Sequence, residues 1–425
     1  MSLILKKKIG IKLLEMGKKY FHNTIYKVLL MLLYSSSPDI YPDTQRFLDG
    51  NLHDPPLYSN IIYVMQLIFG SLNSIIIFQT FFVGFGIIYF LRTVAIHFNL
   101  DVITKSIVAL FLFLPVLKFY NSLITEPISY AFSLLFVSFA IKLIYNLNIK
   151  NIVWISIFVI LLLLSRNQFI FLYPVILLLY FGILILDGSK KTFTWFLISL
   201  LSIFIIHNVT ISSNKHIKKN YFENKSFSSN KGIFFFVYFD AIYISDYEDI
   251  ELFEDQKLKN TLAVIFNELN DNKALIKYYN NRGHFSLSLK TIRDHSDIIL
   301  EDLAQKKNTT IIDLKKQISI KLIAANFEKY IEHTFKKFYD STWLFIFIPF
   351  FMMLASLISF IEYKSKDSLL ILFLSTFALA NHSVVYLFGR VQPRYLIYTD
   401  FIILVFIFIT FVICLKKEKT FFNIK

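Results

Sequence analysis

The chain has 425 residues, 56% of them hydrophobic, 18% aromatic and only 17% charged, with 44 Lys and Arg against 30 Asp and Glu and a formal net charge of +14. This excludes an ordinary soluble domain and a disordered segment, and it places the sequence among polytopic membrane proteins. The single cysteine, Cys414, excludes an intrachain disulfide.

Apolar runs long enough to cross ~30 Å of hydrocarbon at ~1.5 Å per residue recur along the chain. The N-terminal stretch Leu3 to Tyr20 is amphipathic and lacks an apolar core followed by a small-residue cleavage site, so no cleavable signal is expected. The first span, 24–34, is short and carries Lys27. After it comes a polar loop, Ser35 to Leu57, with four carboxylates, His53 and the Pro55-Pro56 pair. Tyr58 to Phe69 is apolar but too short to span, and is expected to lie as a helix in the membrane interface. Further spans are predicted near 73–92, 105–121, 126–146, 151–165, 169–186 and 193–212. Segment 213–341 is charged, with helical spacing of apolar residues over Ile250 to Tyr279 and Ile298 to Tyr339. Its aromatic part, Lys231 to Ile244, reads either as extended chain or as an interfacial segment. Three spans close the chain, at 342–361, 368–388 and 395–415. The expected fold class is all-α and polytopic, about ten transmembrane helices with a mostly helical extracytoplasmic domain. Its parts are an N-terminal module (1–212, with a catalytic first external loop at 35–72), the extracytoplasmic domain (213–341) and C-terminal helices (342–425).

The distribution of charge fixes a sidedness. With the N-terminus inside, the inner loops and flanks hold 19 Lys and Arg against 6 acids, the short outer loops hold 5 of each, and 213–341 holds 20 bases and 18 acids. Nearly all the excess positive charge is therefore on the inner side, as the positive-inside rule expects, and no basic face is left for a nucleic acid. Both termini are expected in the cytoplasm, and the first loop and 213–341 outside. Asn224 and Asn308 open N-x-Ser/Thr triplets on that side, but such triplets arise by chance in an Asn-rich chain.

The candidate site residues fall on the outer side: Asp39, Asp43 and His53 in the first loop, Glu126 at the start of the fourth span, Arg166 after the fifth, and Arg390 and Arg394 before the last. Acids and arginines on one face suit a reaction in which a base activates an acceptor hydroxyl while cations hold a phosphate leaving group, and the guanidinium fork matches phosphate oxygens in pairs. Asp43 is the preferred base and Asp39 the second candidate. Pro42 argues against a regular helix that would join them, and both can equally serve as turn and capping residues. His53 with the carboxylates offers mixed ligands to a divalent cation, yet a lone histidine before Asp54 and two prolines is also an ordinary turn residue. No organic cofactor is implied. Glu126 in Thr125-Glu126-Pro127 sits where a helix dipole favours a carboxylate in any case. Cations in short outer loops run against the positive-inside rule, so the arginines carry more information, although lipid headgroup phosphate would use them in the same way. Asp400, well inside a span, needs a polar partner or an internal water pocket. Lys118, His207 and His382 are isolated in sequence and read as structural.

The ordered set of motifs resembles a known group. An outer-loop Asp43 followed by His53-Asp54-Pro55-Pro56-Leu57-Tyr58, then Thr125-Glu126-Pro127, Arg166-Asn167-Gln168, Asn326-Phe327-Glu328-Lys329-Tyr330 and Arg394-Tyr395-Leu396, is similar to the GT-C superfamily of membrane glycosyltransferases. The nearest likeness is to its protein O-mannosyltransferase and aminoarabinose transferase branches. Phe327 stands where those relatives carry proline, and Asp54 where they often have a basic or aromatic residue. The resemblance implies a GT-C-like helical fold, a polyprenyl-phosphate sugar as donor, Asp43 as base, and Arg394 or Arg166 at the donor phosphate. The implied partners are the bilayer, the lipid-linked donor and a glycan, lipid or protein acceptor, in what would be a bacterial plasma membrane. Two other readings stay open. An O-antigen-type polymerase or ligase would favour an arginine-rich large loop, and 213–341 has only Arg282 and Arg293. A lipid-linked-sugar transporter or flippase would place ionisable residues at mid-membrane, where only Asp400 lies.

Overall fold

The computed structural model describes residues 39, 44, 47, 48, 55–119, 121–221, 234–271, 296, 297, 299–388 and 393–422. The chain divides into two compact units, one made of 1–223, 349–378 and 396–425, the other of 224–348 and 379–395. Helices α1 (Leu57–Phe69), α2 (Leu72–His97), α3 (Val102–Phe119), α4 (Glu126–Tyr145), α5 (Ile149–Ser165), α6 (Leu172–Asp187) and α7 (Lys190–Tyr221) lie in the first unit. Helices α8 (Phe234–Ile244), α9 (Gln256–Asp271) and α10 (Ile311–Ala325) lie in the second. Helices α11 (Phe327–Tyr363), α12 (Lys366–Phe388) and α13 (Pro393–Phe422) contribute to both.

The protein is an integral membrane protein, nearly all helical over the described residues. Six of its helical stretches are long and apolar enough to cross a membrane: Leu72–His97, Glu126–Tyr145, Asn167–Asp187, Thr192–Ser213, Ile346–Tyr363 and Lys366–Leu387. Val102–Leu117, Ile149–Ser165 and Tyr398–Val412 coincide with three further expected spans but are shorter, and 24–34 lies outside the described residues. The expected ten spans thus stand as six of full length and three shorter apolar helices among the described residues.

The first unit is organised around α4. Almost every residue of α4 from Glu126 to Ile144 is buried, so this helix needs no polar face and reads as apolar on all sides. It packs most extensively on α2 and α5. The approach to α2 is close at Gly86, where a Cβ would lie 3.2 Å from the Ala131 Cα and carbonyl oxygen. Where serines fall inside α4 they bond locally or across: Ser133 and Ser138 donate to carbonyls one turn back, and Ser129 donates to Ser165 of α5 at 2.9 Å. Pro115 interrupts α3 and leaves the Phe111 carbonyl without its helical donor. The next carbonyl, Leu112, accepts from the Tyr130 hydroxyl at 3.1 Å. At the other end of α4, Lys142 donates to the Tyr89 hydroxyl at 2.6 Å, Tyr145 bonds Asp367, and Lys366 donates to the Tyr145 carbonyl at 3.0 Å.

Outer faces of this unit are greasy. Phe193, Leu197, Leu201 and Phe204 of α7 are all exposed, which is stable only against lipid or another apolar surface. Helix α1 matches the expected interfacial segment. It has 13 residues, begins after Pro56, ends on Gly70 at φ 63°, buries Tyr58 and Ile62, and exposes Leu67, Ile68 and Phe69.

In the second unit α8, α9, α10 and residues 299–306 close over a core that includes Tyr238, Ile242, Leu262, Ile265, Leu300 and Ile318. The aromatic segment that read as extended or interfacial is helical over Phe234–Ile244, and it is buried on nearly every side from Val237 to Ile242. The expected helix from Ile250 is delayed: Tyr247–Leu252 is a 3₁₀ turn held by an Asp246/Asp249 capping box, and α9 starts at Gln256. The expected helix over 298–339 is broken twice, by the Thr310 cap of α10 and by Asn326. No break separates 341 from 342, since α11 runs continuously for 37 residues. Lys315, 1% exposed, is paired with Asp297 and lies 5.1 Å over the rings of Tyr238 and Phe239.

Candidate functional site

The site grows from the short connection between α3 and α4. Its backbone is pinned by the first loop: the Asp39 N–H donates to the Asn121 carbonyl at 2.8 Å, the Leu123 N–H returns to the Asp39 carbonyl at 3.3 Å, and Thr44 donates to the Leu123 carbonyl at 3.0 Å. From the α2 side, the Gln79 amide donates to the Ser122 carbonyl at 2.9 Å while its oxygen accepts from the Tyr58 hydroxyl at 3.1 Å. Tyr58 is 1% exposed, and its ring meets Phe47 edge-on at 5.2 Å. Burial, with the Glu126 charge second, holds the Tyr58 hydroxyl well above its ordinary pKa, so it stays a donor. Polar groups from the first loop, α1 and α2 thus fix one short stretch of backbone that aims α4.

Glu126 is the first residue of α4, and its side chain is 3% exposed. Its Oε1 lies 2.8 Å from Arg166 Nη1, and its Oε2 accepts from the Thr125 hydroxyl at 3.3 Å. Arg166 caps the C-terminus of α5 in an extended conformation, which turns its side chain off the helix. Its Nη1 also donates to the Tyr398 hydroxyl of α13 at 3.0 Å, and Phe169 packs on the Tyr398 ring at 5.1 Å. A buried carboxylate is stable only if paired and hydrogen-bonded, and this one is. Beside it lies a small apolar cleft, lined by Val83, Pro115, Val116, Phe119, Glu126, Pro127 and Tyr130. The cleft offers apolar walls and one charged end.

The structure thus brings Glu126 and Arg166 together and places Asp39 on the connection that leads to Glu126. The contacts Asp39 makes there are from its backbone N–H and carbonyl. Asp43, His53 and Arg390 lie outside the described residues. Arg394 is the second residue of α13, and its side chain lies outside the described set. Tyr398 and Gln79 were not singled out in the sequence, and Tyr58 entered only as the end of the motif that starts at His53. Tyr398 had one signal, its i+4 spacing from Arg394 on a helix start. Among the described residues no three His, Cys, Asp or Glu side chains converge as a metal site. Asp400 accepts from Thr399 at 3.5 Å, His382 is buried and stacks on Tyr386 at 5.9 Å, and His207 is exposed beside Tyr173.

The Asn326 to Tyr330 motif ties the second unit together. Asn326 donates to Asp249 at 2.9 Å, Lys329 to Asp246 at 2.8 Å, and Tyr330 to the Leu387 carbonyl at 3.0 Å. Deeper in the same unit, Asp240 lies 3.4 Å from His333.

No protein-family model matches the chain, and no curated protein sequence matches it. Among solved structures, ArnT from Cupriavidus metallidurans in the apo state is similar over 88% of this chain and 78% of its own, at 11% identity and a TM-score of 0.36. At that score the similarity carries no weight for fold or activity.

Proposed function

We propose that the chain is an integral-membrane glycosyltransferase of the GT-C type that moves a sugar from a polyprenyl-phosphate donor to an acceptor outside the cytoplasm. The observation that carries this reading is the buried Glu126–Arg166 pair next to an apolar cleft, at the helix ends that the charge count assigns to the outer side. The first loop, home of Asp39 and Asp43, is clipped to the connection that leads into Glu126. The motif order quoted from the sequence supports the same reading. An amphiphilic donor needs a greasy wall and a cationic group, and here Arg166 is paired with Glu126, which lines the apolar cleft.

In this mechanism an acceptor hydroxyl attacks the anomeric carbon as its proton passes to the Asp43 carboxylate. The bond from that carbon to the phosphate oxygen breaks, and the electron pair leaves with the polyprenyl phosphate. Arg166, with Arg390 and Arg394, stabilises the charge that develops on the leaving group. His53 and Glu126 would contact the substrates. The chain would lie in a bacterial plasma membrane with both termini cytoplasmic, and segment 213–341 would be extracytoplasmic.

Purified protein in lipid vesicles, supplied with polyprenyl-phosphate sugars and candidate acceptors, should release polyprenyl phosphate. Asp43→Asn should abolish release while the protein stays folded. Turnover at the wild-type rate in that variant removes Asp43 from the mechanism. Movement of the donor across the vesicle membrane without consumption replaces the transferase reading with transport.

A further inference from the structure

Arg166 is anchored twice through one nitrogen. Nη1 meets the Glu126 carboxylate at 2.8 Å and the Tyr398 hydroxyl at 3.0 Å. The anchors are buried, Glu126 with 3% of its side chain exposed and Tyr398 with none, whereas Arg166 keeps 17%. The member of the cluster whose side chain still reaches water is therefore Arg166. Tyr398 is itself fixed, its ring against Phe169 and its helix neighbour Thr399 bonded to the Leu396 carbonyl. A planar guanidinium held at one nitrogen by groups from two different helices cannot swing without breaking a contact, and a long arginine otherwise samples many rotamers.

We infer that Tyr398 is a positioning residue: with Glu126 it fixes the plane of Arg166, so that the guanidinium meets a lipid-linked phosphate in one orientation. This rests on the reading of Arg166 as a phosphate-contacting group. It adds a residue that touches neither substrate nor the reacting atoms and acts through Arg166. Tyr398→Phe tests it closely, because that change removes the accepting oxygen and keeps the ring that packs on Phe169.

The experiment uses the full chain in phosphatidylcholine nanodiscs and two probes, farnesyl phosphate and farnesol, whose affinities are measured in parallel. The readout is the ratio of the two affinities, which a general loss of stability does not move. Tyr398→Phe should lower the preference for the phosphate roughly tenfold, as expected for losing a hydrogen bond that orients a charged group. Binding of farnesol should stay as in the wild type. Arg166→Met should remove the preference altogether. A wild-type ratio in Tyr398→Phe, with the preference lost in Arg166→Met, overturns the positioning role and leaves the phosphate site standing. A preserved preference in Arg166→Met overturns both. With a turnover assay in hand, Tyr398→Phe should raise KM for the donor more than it lowers kcat.

Discussion

Arg166→Met should destabilise the first unit by about 3 kcal/mol, and the reason lies in what it strands rather than in what it deletes. At 2.8 Å and an effective dielectric of about 20, the Glu126–Arg166 attraction is of order 6 kcal/mol, much of it offset by the cost of drying both ions. Removing the arginine leaves the Glu126 carboxylate 3% exposed, with the Thr125 hydroxyl at 3.3 Å as a weak donor. Breaking one side of a buried pair costs roughly 3–5 kcal/mol. The lower end applies because Arg166 is 17% exposed, so water can follow the carboxylate into the vacated space. The double variant Glu126→Gln/Arg166→Met removes both charges and should recover most of the loss, ending about 1 kcal/mol below wild type. That gives a coupling of about 2 kcal/mol plus the loss caused by Glu126→Gln alone in a double-mutant cycle. Unfolding by sodium dodecyl sulfate titration in mixed micelles, followed by circular dichroism, measures each corner of the cycle. Losses that simply add, or an Arg166→Met protein as stable as wild type, would falsify the view of this pair as a buried, mutually dependent one.

Three further outcomes follow from the packing. Gly86→Leu should cost about 1–3 kcal/mol in the same titration, because its Cβ alone would sit 3.2 Å from the Ala131 backbone; an unchanged midpoint would mean that α2 and α4 do not pack this closely. In the second unit, Asp297→Asn should cost more than Lys315→Met, about 3 against 1 kcal/mol, since the first strands an ammonium that is 1% exposed and the second leaves a carboxylate that is 31% exposed and can be hydrated. The reverse order, read by thermal unfolding of the full chain, would refute that asymmetry. Asp255 is held below its ordinary pKa of 3.8, first by its hydrogen bond from Lys307 and then by the Leu258 N–H. Its stabilising contribution is therefore complete above the unfolded value and fades as pH falls through the lower folded value. Lys307→Met should flatten the fall of the unfolding midpoint below about pH 4, and a profile parallel to wild type would remove Lys307 as the cause.

Most helices were legible in the sequence because their causes are local. A run of apolar residues with nothing to satisfy its backbone except itself must be helical in lipid, so 73–92 and 126–146 were found close to where α2 and α4 lie. Caps such as Thr310 and Gly70 act within a few residues of themselves. The errors came where local physics is degenerate. Short aromatic runs read alike as strand, interfacial segment or buried helix, and Phe234–Ile244 became a helix because a core was there to bury it. Near 341, where the charged segment gives way to an apolar one, α11 runs on without a break, because the helical ladder needs only a suitable backbone.

The sequence by itself determined the class of the protein and a short list of acids and arginines flanking its apolar runs, because hydropathy and charge are sums over residues that need no partner. Only the tertiary structure decided that Arg166 pairs with Glu126, 40 positions earlier, and with Tyr398, 232 positions later. It also decided that the Asp39 backbone is bonded to the connection before Glu126. Those outcomes depend on the rotation and depth of each helix against its neighbours, which are set by contacts such as Gly86 on Ala131 and Ser129 on Ser165. Such contacts join residues far apart in the chain, and no local pattern encodes them.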